Sequence, residues 1–241
     1  RGPGEPKERG ESEEEQEAKG RLRPVDILRW EEELREENVT YEKVTLEQVF
    51  ADFRSLFKEA QADVPRLVVL GPPGSGKTTL IQYLAWQAAN QKLAVAKRQV
   101  IPVRVRLRDW ERWLDKQGER GLPEYLTEYY KHLPLAPKVA QWRAWLQHGE
   151  VLLLLDGLDE IGGNQAFIDA LQITLCTFKD CPAILTCRTV SFEQHHSVCP
   201  DFPVLTLMGL DETQRNAYIR AFPAKNPDRY QPEQLIQQLT R

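Results

Sequence analysis

Apolar positions in this chain fall into short runs separated by longer stretches with helical spacing. Leu67-Val-Val-Leu70, Ala183-Ile-Leu-Thr186 and Val204–Leu207 read as strands, and Val151-Leu-Leu-Leu-Leu155 as a strand buried on both faces. Ile101-Pro-Val-Arg-Val-Arg-Leu107 alternates apolar and basic residues, which predicts a strand, and Pro102 suits its start or an edge position better than its centre. Helices are predicted from Thr79 to about Asn90, then near 109–117, 123–132, 138–148, 165–178, 211–222 and 232–240. Trp142, Trp145 and Leu146 give the helix near 138–148 a large apolar face, read as core or interface. Strands alternating with helices imply a mostly parallel sheet covered on both sides, a three-layer α/β architecture.

The region upstream reads differently. Residues 1–23 are rich in Glu, Gly, Lys and Arg and carry almost no apolar side chains, so they cannot offset the entropy of ordering and read as disordered or linker. Val25, Ile27, Leu28 and Leu34 suggest a first helix. Thr45-x-x-Gln48 resembles a capping box before a helix with the stripe Val49, Phe50, Phe53, Leu56 and Phe57, giving an N-terminal helical segment over 24–60.

The turn after the first strand carries the chemistry. Gly71-Pro72-Pro73-Gly74-Ser75-Gly76-Lys77-Thr78, followed by Thr79, fits the phosphate-binding pattern G-x-x-x-x-G-K-[ST] in the required strand–loop–helix context. Glycines let the backbone close around an anion, and the loop amides and helix N-terminus point at it. Lys77 is expected to reach the β- and γ-phosphates, and the Thr78 hydroxyl to ligate Mg²⁺. Carboxylates follow the strand 151–155: Asp156 is expected to hold the same Mg²⁺, and Asp159 or Glu160 to orient or deprotonate water, with Glu160 preferred as base. Clustered acids repel unless a cation lies between them, which again predicts a metal. Arg188, after the strand 183–186, is placed to sense or neutralise a γ-phosphate.

Taken together, Gly71–Thr78, the Asp-Gly-Leu-Asp-Glu run ending at Glu160, and Leu185–Thr189 resemble the NACHT family of signal-transduction NTPases, within the STAND class of P-loop NTPases, over residues 40–222. The resemblance implies a nucleotide-dependent switch in signalling or innate and antiviral defence that oligomerises on activation. It implies a nucleotide domain over 61–207. From Met208-Gly-Leu-Asp-Glu-Thr-Gln to Phe222 it implies the start of a helical domain, truncated within 208–241. The winged-helix region and sensor and effector domains of the family would lie outside this chain. The family's base-contacting segment matches Val64-Pro65-Arg66.

Bulk composition narrows the alternatives. The 241 residues are 41% hydrophobic and 28% charged with a net charge of −4, which favours a packed domain over an open nucleic-acid binder. No apolar run approaches a membrane span, and four cysteines without a C-x-x-C pair suit a reduced, cytoplasmic setting in which they pack as small apolar groups. The family resemblance, together with the absence of the Asn/Thr-Lys-x-Asp guanine signature, implies ATP with Mg²⁺ as the preferred ligand, although GTP is not excluded. Gly162-Gly-Asn-Gln165 is only a remnant of a transporter signature. A nucleotide-dependent scaffold with little turnover, a ring-type ATPase and a DNA-dependent ATPase stand as alternatives. Arg104, Arg106 and Arg108 read as a basic strand face, solvated or in contact with a partner, and His195-His196 with Cys199 lacks the partner pair of a closed zinc site.

Overall fold

The computed structural model describes residues 46–51, 53–56, 64–93, 98–118, 120–210, 212–221 and 231–239. The expected linker over 1–23, the helix containing Val25 to Leu34, and Phe57 lie outside the described residues. Five strands build the sheet: β1 Arg66–Leu70, β2 Ile101–Arg106, β3 Val151–Asp156, β4 Ala183–Cys187 and β5 Val204–Thr206. Their order is β2-β3-β4-β1-β5 and every pairing is parallel. The fold is the three-layer α/β arrangement of P-loop NTPases.

Strand composition follows position in this order. The three inner strands β3, β4 and β1 are buried along their whole length, which is why they read as unbroken apolar runs. The edge strands are wetter. β2 carries Pro102 where a missing N–H costs no inner ladder bond, and β5 is mostly exposed.

Alternation along the strands assigns two buried faces. Val68, Val103, Val105, Leu153, Leu155 and Leu185 face one large core. Leu67, Val69, Leu152, Leu154 and Ile184 alternate with them and are also buried, facing the other way. On the first face pack α4 (Leu107–Gln117), α5 (Leu122–Tyr129), α6 (Val139–Gln147) and α7 (Gln165–Thr177), through Trp110, Leu126, Leu146 and Phe167. Trp110 meets Phe167 edge-on at 5.1 Å, tying α4 to α7.

Upstream, α1 (Leu46–Ala51) and α2 (Phe53–Leu56) bury Val49, Phe50 and Phe53 from the predicted stripe. The helix after the loop, α3 (Lys77–Ala89), begins two residues before its predicted start because the loop feeds directly into its first turn. Short α8 (Thr189–His195) follows β4, while α9 (Glu212–Ala221) and α10 (Pro232–Leu239) close the described chain. Three sequence expectations change. Arg108 lies in α4, because the strand gives way to helix at Leu107, so only Arg104 and Arg106 share a strand face. The strand expected to end at Leu207 ends at Thr206. Cys181 and Cys187 are buried as expected, and Cys199 is buried too, but Cys176 is exposed on α7.

Candidate functional site

The site forms at the carboxyl edge of the sheet, where β1, β4 and β3 lie side by side. That edge is where open α/β sheets take their ligands. β1 runs into Gly71, β3 ends in Asp156, and β4 ends just before Arg188.

The loop is shaped for an anion. Gly76, the residue before α3, has φ +93, a left-handed conformation that a side chain would strain. Among the described residues no side chain caps the α3 N-terminus and no acid sits in its first turn, so no cap answers the partial positive charge there. The Ser75 hydroxyl is buried without a partner among the described residues. Lys77 folds back, its Nζ donating to the carbonyl oxygens of Gly71 at 2.6 Å and Pro72 at 2.9 Å. Desolvation holds its pKa below the usual lysine value, against the pull of Asp159 and with a smaller push from Arg188. An orphaned hydroxyl, an uncapped helix and a lysine satisfied only by its own loop all fit a bound phosphate chain.

The acid run is held from several sides. The Thr78 hydroxyl donates to Asp156 Oδ1 at 3.3 Å, so the two residues expected to share Mg²⁺ are adjacent. The Thr186 hydroxyl, buried on β4, donates to the same oxygen at 2.9 Å and accepts from the Gly157 N–H at 2.9 Å. Arg104 Nη2, from β2, pairs with Asp156 Oδ2 at 3.1 Å. Gly157 has φ +86, and a Cβ there would lie 3.1 Å from the Glu160 carboxyl carbon, so glycine lets that side chain fold over the turn. Asp159 is clasped by Arg188: Nε lies 2.8 Å from Oδ2, and the Arg188 backbone N–H donates to Oδ1 at 2.9 Å. Glu160 is exposed. The turn is fixed beyond this by Glu111 on α4, which accepts from the Gly162 N–H at 3.0 Å, and by Asn164, which caps α7.

The structure thus brings together Gly71 to Thr78, Asp156, Asp159, Glu160 and Arg188. Thr79 follows as the third residue of α3. Val64 and Pro65 are not among them. They precede β1 at its amino end, where the Pro65 carbonyl accepts from Ala183 N–H, a strand length away from the loop. Arg66 is also drawn away, with Nη2 bound to the Leu175 carbonyl at 2.7 Å and its guanidinium over Phe202. Sequence reasoning missed Arg104 and Thr186. The signal for Thr186 was a hydroxyl inside an apolar strand, which needs a partner once buried. For Arg104 it was a basic residue on a strand that proves to be the neighbour of β3.

A model of the NACHT domain matches residues 65–226, over half of the chain. The chain belongs to the NACHT family and is a nucleotide-binding P-loop NTPase. No curated protein matches it. Among solved structures it is similar to AMPPCP-bound DnaA from Aquifex aeolicus at 15% identity and TM-score 0.47, covering 82% of this chain and 57% of that one. It is also similar to domain III of the Thermotoga maritima replication initiation protein DnaA, at 18% identity and TM-score 0.44, covering 73% and 69%. A third is C. elegans PCH-2, at 14% identity and TM-score 0.42, covering 64% and 38%. The chain therefore spans little more than half of the Aquifex aeolicus protein.

Proposed function

We propose that this chain is the nucleotide module of an ATP-driven signalling switch. The observation that supports this most is the meeting of the phosphate loop with Asp156 through Thr78. In this reading Lys77 leaves the Gly71 and Pro72 carbonyls and turns to the β- and γ-phosphates. Thr78 and Asp156 would hold Mg²⁺, which when bound supplies charge neutralisation to the phosphate oxygens. Glu160, exposed beside the turn, orients or deprotonates the attacking water. Asp159 acts through Arg188, fixing the guanidinium at the carboxyl edge while its outer nitrogens stay available to a γ-phosphate.

Assembly into a homo-oligomer, with signal-sensing and effector parts supplied outside residues 1–241, belongs to the same proposal, as does work in the cytoplasm. So does the division into a nucleotide domain over 61–207 and a helical segment from 208. No described helix is long and apolar enough to cross a membrane.

Calorimetry with ATP, ADP and GTP tests the ligand. Lys77→Ala is expected to weaken ATP binding about tenfold or more, since a charge-assisted contact contributes about 1.5–3 kcal/mol. Unchanged affinity would refute the role of the loop. Glu160→Gln is expected to bind ATP normally and slow phosphate release. Repeated turnover in the parent chain supports an enzyme, whereas one turnover per chain supports a scaffold that uses nucleotide to hold one conformation.

A further inference from the structure

A second cleft lies outside the phosphate loop, between the edge strand β2 and the end of α5. It is about 470 Å³ and is lined by Arg104, Arg106, Asp109, Tyr129, His132 and Leu133 among others. That volume suits a small organic ligand. Arg104 and Arg106 stand two residues apart on one strand, so their side chains leave the same face. Arg106 is exposed and has no ion-pair or hydrogen-bond partner among the described residues. Arg104 is shared: Nη2 holds Asp156, while its Nε is buried without a partner among the described residues. A buried guanidinium N–H left unpaired is costly, so turning Arg104 toward an acceptor in the cleft is favoured.

We infer that this cleft is a binding site for a small phosphorylated compound, whose phosphate sits between Arg104 and Arg106 and whose body lies against Tyr129 and Leu133. Two guanidinium forks match the oxygens of a phosphate. Tyr129 is half exposed and Leu133 43% exposed, and together they give the rest of the ligand an apolar wall. Asp109 is the one carboxylate lining the cleft, and it disfavours a second anionic group on the ligand body.

The cleft is also wired to the nucleotide site, a step that rests on the proposed role of Asp156 in holding Mg²⁺. As described, Arg104 spends its charge on Asp156. When Asp156 commits its charge to a cation beside Thr78, Arg104 is freed to serve the cleft. Linkage runs both ways: an anion that draws Arg104 away leaves Asp156 better able to hold the metal. A phosphorylated metabolite would then tighten Mg-nucleotide binding, and Mg-nucleotide would tighten the metabolite.

Phenyl phosphate is a suitable probe, titrated calorimetrically into the full chain with and without saturating Mg-ADP. Binding is expected in both conditions and several-fold tighter with Mg-ADP. Arg106→Gln is expected to weaken it about tenfold, the loss of one charge-assisted contact, while leaving ADP affinity unchanged. His132→Ala provides a second cleft variant, expected to weaken the probe less. Loss of phenyl phosphate binding on adding Mg-ADP would place the probe in the phosphate loop and overturn the site. Equal affinity in Arg106→Gln, His132→Ala and the parent chain would overturn it as well. If the chain fails to bind ADP at all, the nucleotide reading fails, and the dependence on Arg106 without ADP still decides the cleft.

Discussion

Two arginines reach the acid run from opposite sides, and their environments differ. Arg104 comes from β2 to Asp156; both side chains are largely sheltered, at 24% and 8% exposure. Arg188 comes from the end of β4 to Asp159; the acid is 6% exposed but the arginine 48%. Asp159 spends both oxygens on one residue, side chain and backbone. Asp156 divides its oxygens among Arg104, Thr78 and Thr186. The first arrangement is a clasp that fixes an arginine at the surface. The second is an anchor whose partners belong to three different elements, and one of them, Thr78, lies in the first turn of α3 after the loop. Asp156 is therefore the residue at which the loop, the middle of the sheet and its β2 edge meet.

The contrast is broken most strongly at Asp156. Asp156→Ala leaves a sheltered guanidinium and the buried Thr186 hydroxyl without their acceptor. A loss of about 2–4 kcal/mol is expected in urea unfolding, because removing one partner strands the others. Asp156→Asn keeps an acceptor and is expected to recover part of this. A loss no larger than for Asp159→Ala would remove the distinction between anchor and clasp.

Thr186→Val tests the hydroxyl relay with little change of shape. It removes one donor to Asp156 and one acceptor for the Gly157 N–H, for an expected cost of about 1–3 kcal/mol. Thr186→Ser is expected to restore most of it. If valine is tolerated without loss, the relay does not hold the turn.

How far these features were readable beforehand divides along the same line. The loop Gly71–Thr78, the acids after β3 and Arg188 after β4 are each local in sequence, and each declares itself by a residue pattern at a strand end. Inner strands were legible because burial on both faces forces continuous apolar runs. The pairing of Arg104 with Asp156 is not local. It depends on β2 lying beside β3, a matter of strand order that residue spacing does not specify. Thr186 is similar, since its value lies in sitting between β3 and β1. Val64 and Pro65 show the complementary case: they are near the loop in sequence, yet a whole strand separates them from it.

On the clasp side the stability effects are smaller. Arg188→Ala breaks an ion pair whose cation is half exposed, and such pairs contribute about 0–1 kcal/mol. Unfolding is expected to change little, while nucleotide discrimination is expected to fall, with ATP affinity dropping more than ADP affinity. Equal losses for both nucleotides would leave Arg188 a surface clasp and nothing more.

The finest probe of the clasp is the thiol beneath it. Cys187 ends β4, directly before Arg188, and burial with a further contribution from Asp159 pushes its pKa up to about 12. Cys199, in its own buried setting, is also pushed up to about 12, and Cys181 to about 11. Thiolate is the reactive form, so at pH 8 only about one part in ten thousand of Cys187 is primed for alkylation. Exposed Cys176 is expected to label first and alone under brief treatment. In Asp159→Asn the negative charge is gone and the clasp loosened, and both changes favour the Cys187 thiolate. Its labelling rate is expected to rise several-fold while those of Cys181 and Cys199 stay the same. Arg188→Ala removes the clasp but keeps the charge, so Cys187 is expected to respond less. A uniform rise at all three buried thiols would mean that the substitution loosened the domain rather than the clasp.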